Sequence, residues 1–465
     1  MSALTGEVTV TGFGVRTAFG TGAEALRRGV FAGVPAFAPT TRFDTGPYRT
    51  PMAAAAPDGP GAVEDWALRH ALAGCGAEAL DMAGLPSGTE AAVLLGIAGD
   101  STSITRYWRG GAASPSEGPG SGSGPGGAAR DGSGTAAADR HRHPADGPPG
   151  APPGGESHGA ASAGHPGGDA ARHTAGEAAE RLATAANVPV ERLADAVPAH
   201  LAELLAGRLG LTGPRLTFTN ACVASAAAII HACRLISSGR IDVAVCAGGY
   251  LVEEETFGKF DSGRALSKDG VVRPFSADRS GLLLGDGVAA VVLESAEHAR
   301  RRGARPLASV VGWGAATDAH HIAQPHPEGV GLARSARQAL RLAGDPEGAA
   351  LGYVNAHGTG TKYNDGAETR GLRAAFPERA ESIPVSSTKS TTGHLLEAAG
   401  VVEFVITLLA LTDGVIPPTA GFGLPDPECD LDYVPNRPRQ ADLRRALTIN
   451  AAFGGANTAL VLERP

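Results

Sequence analysis

Arg215-Leu-Thr-Phe-Thr-Asn-Ala-Cys-Val-Ala224, continued by a nearly all-apolar run to Ser238 and stopped by Gly239, is the stretch that decides the fold. Arg215 to Thr219 reads as a short strand, Asn220 to Ala224 as a tight turn and Ala224 to Ser238 as a helix, with a second apolar strand from Val243 to Ala247. Such a unit belongs to an α/β protein and sets the Cys222 sulfur at a helix start. Unpaired backbone N–H groups and the helix dipole there favour thiolate over thiol, as a nucleophile requires. Cys233, inside the helix, and Cys246, inside the following strand, read as small apolar filler.

The 465 residues suffice for two or three average domains and a large core. A net charge of −8 without a long basic run argues against general affinity for nucleic acid or an anionic membrane. Five cysteines, an odd number without C-x-x-C spacing, argue against a disulfide framework or a cysteine metal site and for a reducing, cytoplasmic location. Met1 to Gly12 lacks the charged start and apolar run of a secretory signal. The longest apolar stretch, Ala398 to Leu411, is interrupted by Glu403, so no membrane segment is expected.

Strands and helices alternate on both sides of the Cys222 unit. Glu7 to Thr11 reads as a strand leading into Gly12-Phe-Gly14, which lacks the third glycine and the acidic residue of a dinucleotide fingerprint and is expected to be a structural turn. Val63 to Met82 has helical periodicity and Ala91 to Ile97 reads as a buried strand. From about Gly110 to about Gly176 the composition shifts to Gly, Pro, Ser and Ala, with almost no large apolar side chain to offset chain entropy. A disordered insertion is expected. His141, His143, His158, His165 and His173 within it are too irregularly spaced for a metal site. Pro198 to Leu209 reads as a helix. Gly287 to Leu293, Leu307 to Gly312 and Leu351 to Ala356 read as strands, and Leu332 to Ala343 as a helix. Two polar loops then follow buried strands: His357 to Asp365, before a helix Ala367 to Phe376, and Ser387 to His394, before a helix Leu395 to Leu411. The chain closes with a strand from Leu447 that opens into a glycine turn, and a strand Thr458 to Leu462.

Asn220-Ala-Cys222, His357-Gly-Thr-Gly-Thr361, Lys389-Ser-Thr-Thr-Gly-His394 and Phe453-Gly-Gly-Ala-Asn457, in that order, resemble the motifs of the chain-elongating β-ketoacyl-acyl-carrier-protein synthases of fatty-acid and polyketide synthesis. The resemblance covers the chain outside the low-complexity insertion. It implies a thiolase-like fold, two similar α/β halves (1–298 and 299–465) making a five-layered αβαβα core; no self-similarity between the halves is visible in the sequence. It implies an acyltransferase. Cys222 would take an acyl chain from carrier-protein phosphopantetheine as a thioester, and malonyl-carrier protein would then lose carbon dioxide and attack it as an enolate. His357 and His394, as neutral imidazoles, would donate hydrogen bonds to the developing enolate oxygen. The backbone N–H groups of Cys222 and Phe453, the latter freed by Gly454 and Gly455, would hold the tetrahedral oxyanion. Lys389 would set the local field and orient His357, with Asp365 and Glu368 as its candidate partners. The enzyme itself would carry no cofactor, because phosphopantetheine belongs to the carrier protein.

The two histidines separate this set from the Cys-His-Asn of priming synthases, and Cys429 lacks the glycine motif of a thiolase's second cysteine. A non-catalytic chain-length subunit of the same fold would lack the nucleophile that Cys222 supplies. Three departures stand out: Ala323, in Asp318-Ala-His-His-Ile-Ala-Gln-Pro325, where relatives have threonine; Ala451-Ala452, where many have an aromatic and a glycine; and the insertion itself. Acidic carrier proteins call for a basic docking face, for which Arg264 and Lys268 are the candidates, with Arg69 as a further one. The implied partners are an acyl-carrier protein and a second synthase subunit, in a homodimer or a heterodimer.

Overall fold

Strands covered on both faces need apolar residues at nearly every position, and Val243–Tyr250, buried at all eight, is such a strand. The computed structural model describes residues 6–56, 67–102, 104–105 and 190–465. Ten strands make the frame: β1 (Val8–Thr17), β2 (Ala92–Gly96), β3 (Arg215–Phe218), β4 (Val243–Tyr250), β5 (Gly287–Ser295), β6 (Ala308–Thr317), β7 (Leu351–Asn355), β8 (Val385–Ser386), β9 (Arg445–Ala451) and β10 (Ala456–Glu463). With the two-residue strand Gly20–Thr21 beside β1, they form one sheet ordered β8-β7-β9-β10-β6-β1-β5-β4-β2-β3.

That order contains the same pattern twice, β1-β5-β4-β2-β3 in one half and β6-β10-β9-β7-β8 in the other. The strand senses repeat as well. β2 is parallel to β3 and β4 as β7 is to β8 and β9. β5 runs antiparallel to β4 and β1, as β10 does to β9 and β6. The halves meet where β1 and β6 pair antiparallel, Val8 with Val310 through Val10 with Ala308.

The longer helices are α1 (Leu68–Ala83), α2 (Pro198–Leu209), α3 (Ala224–Ser237), α4 (Glu254–Ser262), α5 (Val330–Leu342), α6 (Lys362–Ala375) and α7 (Ala399–Asp413). α3 and α7 pack on each other and touch strands of both halves. They form the central layer, which explains why both are apolar almost all round. α1 and α2 cover the outer face of the first half, and α5 with α6 that of the second. Each outer layer encloses its own apolar core, while the largest core surrounds α3 and α7. The result is helix, sheet, helix, sheet, helix, the five layers implied by the resemblance. Among the described residues no helix is long and apolar enough to cross a membrane.

Local differences from the sequence expectations have physical causes. Gly12 and Gly14 are not a turn but lie inside β1, where a Cβ would come within 2.1 Å of the Ala79 carbonyl and 2.2 Å of that of Cys75; their missing side chains let α1 settle on the sheet. α6 starts at Lys362 rather than Ala367, so Asp365 lies in its first turn. The helix expected from Leu395 is interrupted, since Leu396 has φ +44° and Leu396–Ala398 forms a 3-10 turn before α7. The low-complexity stretch Gly110–Gly176, its five histidines and the first residues of the helix expected from Val63 lie outside the described residues.

Candidate active site

β3 delivers the chain to Asn220, and Ala221 then adopts φ +52°. A left-handed conformation costs a residue with a β-carbon about 1–2 kcal/mol. The sharp reversal carries Cys222 into the 3-10 turn Ala221–Val223 just ahead of α3. Facing it is His394, on the loop that ends at the Leu396–Ala398 turn. Its Nε2 lies 3.1 Å from Cys222 Sγ. The His394 backbone is fixed by hydrogen bonds to and from the segment before β5: its N–H donates to the Leu283 carbonyl and its carbonyl accepts from Gly285. His357 leaves the end of β7 and stacks edge-on against His394 with ring centroids 5.3 Å apart. Cys222, His357 and His394 thus converge from three loops, and all are buried.

Burial decides their charge states. The helix start was expected to favour a thiolate, but desolvation outweighs it. Burial, reinforced by Glu397, pushes the Cys222 thiol up to about 12, while Lys389 and the cysteine's own backbone N–H pull the other way. Burial and then the Lys389 charge hold both His357 and His394 well below the ordinary imidazole value. The resting site is therefore a neutral thiol facing neutral imidazoles. Among the described residues, the buried Nδ1 atoms of both rings have no hydrogen-bond partner.

Lys389 is placed differently from the expectation. Its Nζ is ion-paired with Glu403 of α7, and not with Asp365 or Glu368. Glu403 Oε2 also accepts from Asn450 Nδ2 at 2.6 Å, on β9. Asn355, at the end of β7, donates to the Glu403 carbonyl and to Thr407, so β7, β9 and α7 all hold this buried pair. Burial pushes the Glu403 carboxyl up against the pull of Lys389. Glu368 serves His357 instead. Its two oxygens accept from the backbone N–H groups of His357 and Gly358, each at 2.7 Å, and burial raises its carboxyl to about 7. Asp365 accepts from the Phe275 backbone N–H at 2.8 Å and faces Arg279, which supports the segment before β5. Ser387 Oγ donates to the Gly358 carbonyl at 2.6 Å, tying the two histidine loops together.

Phe453 lies in the β9–β10 turn. Gly454 and Gly455, at φ +83° and +81°, make the reversal, and the Phe453 N–H has no backbone acceptor among the described residues. Its ring is half exposed and stacks on Phe260 of α4 at 5.7 Å. The segment with Ala323 leans on this turn: Gly454 N–H donates to the Ile322 carbonyl and Asp318 N–H to that of Gly455. Arg264 and Lys268 are exposed, with Arg264 one helical turn past Phe260 at the end of α4. Arg69 is not a free docking cation. Its guanidinium is held at 2.6 Å by both oxygens of Asp195, with little of the side chain exposed.

Glu403, Asn450, Ser387 and Phe260 are not picked out by the motifs. Only Glu403 leaves a sequence signal, as the acid that interrupts the apolar stretch Ala398 to Leu411. All five cysteines are free and buried, and among the described residues Cys222 is the one hydrogen-bonded to a histidine.

Comparison with known proteins gives the family. The description "Beta-ketoacyl synthase, N-terminal domain" matches residues 156–299 and "Beta-ketoacyl synthase, C-terminal domain" residues 307–423, more than half the chain between them. The chain belongs to the β-ketoacyl synthase family. Among curated β-ketoacyl synthases it is similar to the tetracenomycin polyketide synthase ketoacyl synthase alpha subunit of Streptomyces glaucescens, 40% identical over 59% of this chain and 66% of the relative. It is equally similar to 3-oxoacyl-[acyl-carrier-protein] synthase 2 of Vibrio harveyi, 40% identical over 58% and 67%. The chain thus spans about two thirds of the length of the curated relatives it matches. Among solved structures, the ishigamide ketosynthase/chain length factor superposes with TM-score 0.77 at 29% identity, covering 99% of this chain and 100% of the other. A β-ketoacyl synthase from Burkholderia phymatum STM815 gives 0.75 at 25%, with the same coverage.

Proposed function

We propose that the protein is a 3-oxoacyl-[acyl-carrier-protein] synthase that condenses an acyl thioester held on Cys222 with malonyl-carrier protein. The observation that carries this is the 3.1 Å approach of His394 Nε2 to Cys222 Sγ, with His357 edge-on beside it. As the substrate thioester arrives, Cys222 passes its proton to His394 and its sulfur attacks the carbonyl. Backbone N–H groups of Cys222 and Phe453 receive the oxyanion, and the departing phosphopantetheine thiol takes the proton back from His394.

In the second half-reaction, the malonyl thioester loses carbon dioxide and negative charge develops on its carbonyl oxygen. Neutral His357 and His394 donate hydrogen bonds to that oxygen. The enolate carbon attacks the Cys222 thioester and the sulfur leaves, restoring the thiol after protonation. Lys389 stays paired with Glu403 and acts through its field, which adds to the burial that keeps both imidazoles neutral. The phosphopantetheine arm enters as part of the carrier-protein substrate, and no further cofactor takes part. Arg264 and Lys268 meet the acidic carrier protein beside the Phe453–Phe260 gate, and the reaction takes place in the cytoplasm.

A second reading of the assembly, as the catalytic subunit of a heterodimer whose partner sets chain length, is favoured by the likeness to the ishigamide ketosynthase/chain length factor. The deciding experiment supplies a panel of acyl-carrier proteins with malonyl-carrier protein, alone and with a co-produced related subunit. Carbon dioxide release matched by a carrier-bound β-ketoacyl product of the expected mass supports the reaction. Its absence in every combination overturns it.

A further inference from the structure

Beside Cys222 lies a group of polar side chains that the condensation does not use. The Leu396–Ala398 turn packs against both the nucleophile's turn, Ala221–Val223, and β4. It enters with Leu396 at φ +44° and carries Glu397 into electrostatic reach of the Cys222 sulfur. Apart from its own backbone N–H, the Glu397 carboxylate has neither a hydrogen bond nor an ion pair among the described residues, and Lys259 acts on it from α4 without pairing.

Tyr250, the last residue of β4, is only 5% exposed, and among the described residues its buried hydroxyl has no side-chain hydrogen-bond partner, only the Glu253 backbone N–H close by. The carboxylates around that hydroxyl are Glu253, Glu397 and Asp286. Asp286 is already occupied by Arg42 and by the Val252 and Ala56 backbone N–H groups. Glu253 accepts from Thr256 Oγ1 at 2.9 Å. Burial, with Asp100, Glu255 and Glu397 adding, holds the Glu253 carboxyl up to about 7, and burial raises Glu397 too. Near neutrality the Glu253 carboxyl therefore has a proton to donate part of the time, and Glu397 offers carboxyl oxygens beside it.

A saturated acyl chain seated against such a wall would leave the Tyr250 hydroxyl without a side-chain partner and desolvate the Glu397 carboxyl while giving nothing back. Leaving buried polar groups unpaired is the expensive half of hydrogen-bond energetics. A chain with keto or hydroxyl oxygens would pair them. We propose that Glu397, with Tyr250 and Glu253, forms a polar subsite beside Cys222 that selects acyl chains carrying oxygen functions over saturated chains of the same length. This rests on Cys222 being the acyl acceptor, as in the function proposed above.

The test offers the protein two pantetheine thioesters of equal length, one saturated and one with a mid-chain keto group, and follows acylation of Cys222 by intact mass. Wild type should favour the keto chain by about tenfold. Glu397→Leu should erase or invert that preference, and Glu397→Gln, which keeps hydrogen-bonding atoms, should retain most of it. Tyr250→Phe, which removes a single oxygen, should narrow the preference and provides the readout if the leucine variant fails to fold. A merely structural effect would slow both thioesters alike and leave their ratio unchanged. Equal acylation by the two thioesters in wild type, or an unchanged ratio in the variants, overturns the subsite while leaving Cys222 as acyl acceptor. No acylation by either overturns both.

Discussion

His394 Nε2 stands 3.1 Å from Cys222 Sγ, and burial keeps both groups uncharged. A standing thiolate would make the site reactive at all times. In the proposed function, a thiol that gives up its proton only as a thioester carbonyl arrives would confine reactivity to the occupied enzyme.

Alkylation of resting Cys222 by iodoacetamide should therefore be slow and should accelerate steadily across the neutral and mildly alkaline range. The thiol, pushed up to about 12, has no midpoint there. The check is rate against pH by intact mass, with Cys222→Ala as blank. A plateau near neutrality would mean a standing thiolate and contradict the neutral pair.

The Lys389–Glu403 pair is buried on both sides. Replacing Glu403 by leucine strands an ammonium and should cost about 3–5 kcal/mol, whereas Lys389→Met with Glu403→Leu should cost clearly less than the single change. Denaturant unfolding measures both. A double variant as unstable as the sum of the singles would show that the two residues are not coupled.

Acid should weaken the fold through the histidines. Both imidazoles are depressed well below 6.5 by burial, so each contributes stability present above its unfolded value and lost as the pH falls, because the unfolded chain binds protons first. Glu368 has the opposite sign. Raised to about 7 from 4.5, it contributes stability on the acid side of that window that is lost as pH rises through it. His394→Asn removes one histidine and leaves Glu368 in place, so its melting temperature should fall less than that of wild type on acidification below 6.5. Parallel profiles would contradict the assignment.

The candidate groups stood out in the sequence because each lies in the segment that follows a strand, and such segments carry their polar residues in short recognisable runs. Cys222, His357 and His394 are local in that sense. The duplication was not legible, since it resides in strand order, β1-β5-β4-β2-β3 against β6-β10-β9-β7-β8, and order is fixed by packing and not by which apolar residue fills a strand. Lys389's partner was missed for a related reason: Glu403 is fourteen residues away on a helix that looks wholly apolar, and only the crossing of α7 over β9 brings Asn450 to it. The thiolate expectation failed because a helix start is a local feature, whereas desolvation comes from every layer packed around Cys222.

Ala451 and Ala452 directly precede Phe453, two methyl groups where a ring would fill more volume. Ala451→Phe should slow acylation of Cys222 by a long acyl-carrier protein while sparing a short one. Equal rates for both chains in a folded variant would remove the permissive entrance from the account.

The most direct measurement incubates the protein with an acyl-carrier protein in the absence of malonyl-carrier protein and maps the modified peptide by mass. One acyl group on Cys222, absent in Cys222→Ala and discharged when malonyl-carrier protein is added, is the predicted result. An acyl group on another residue, or none on wild type, would contradict the claim that Cys222 and His394 form the acyl-accepting pair.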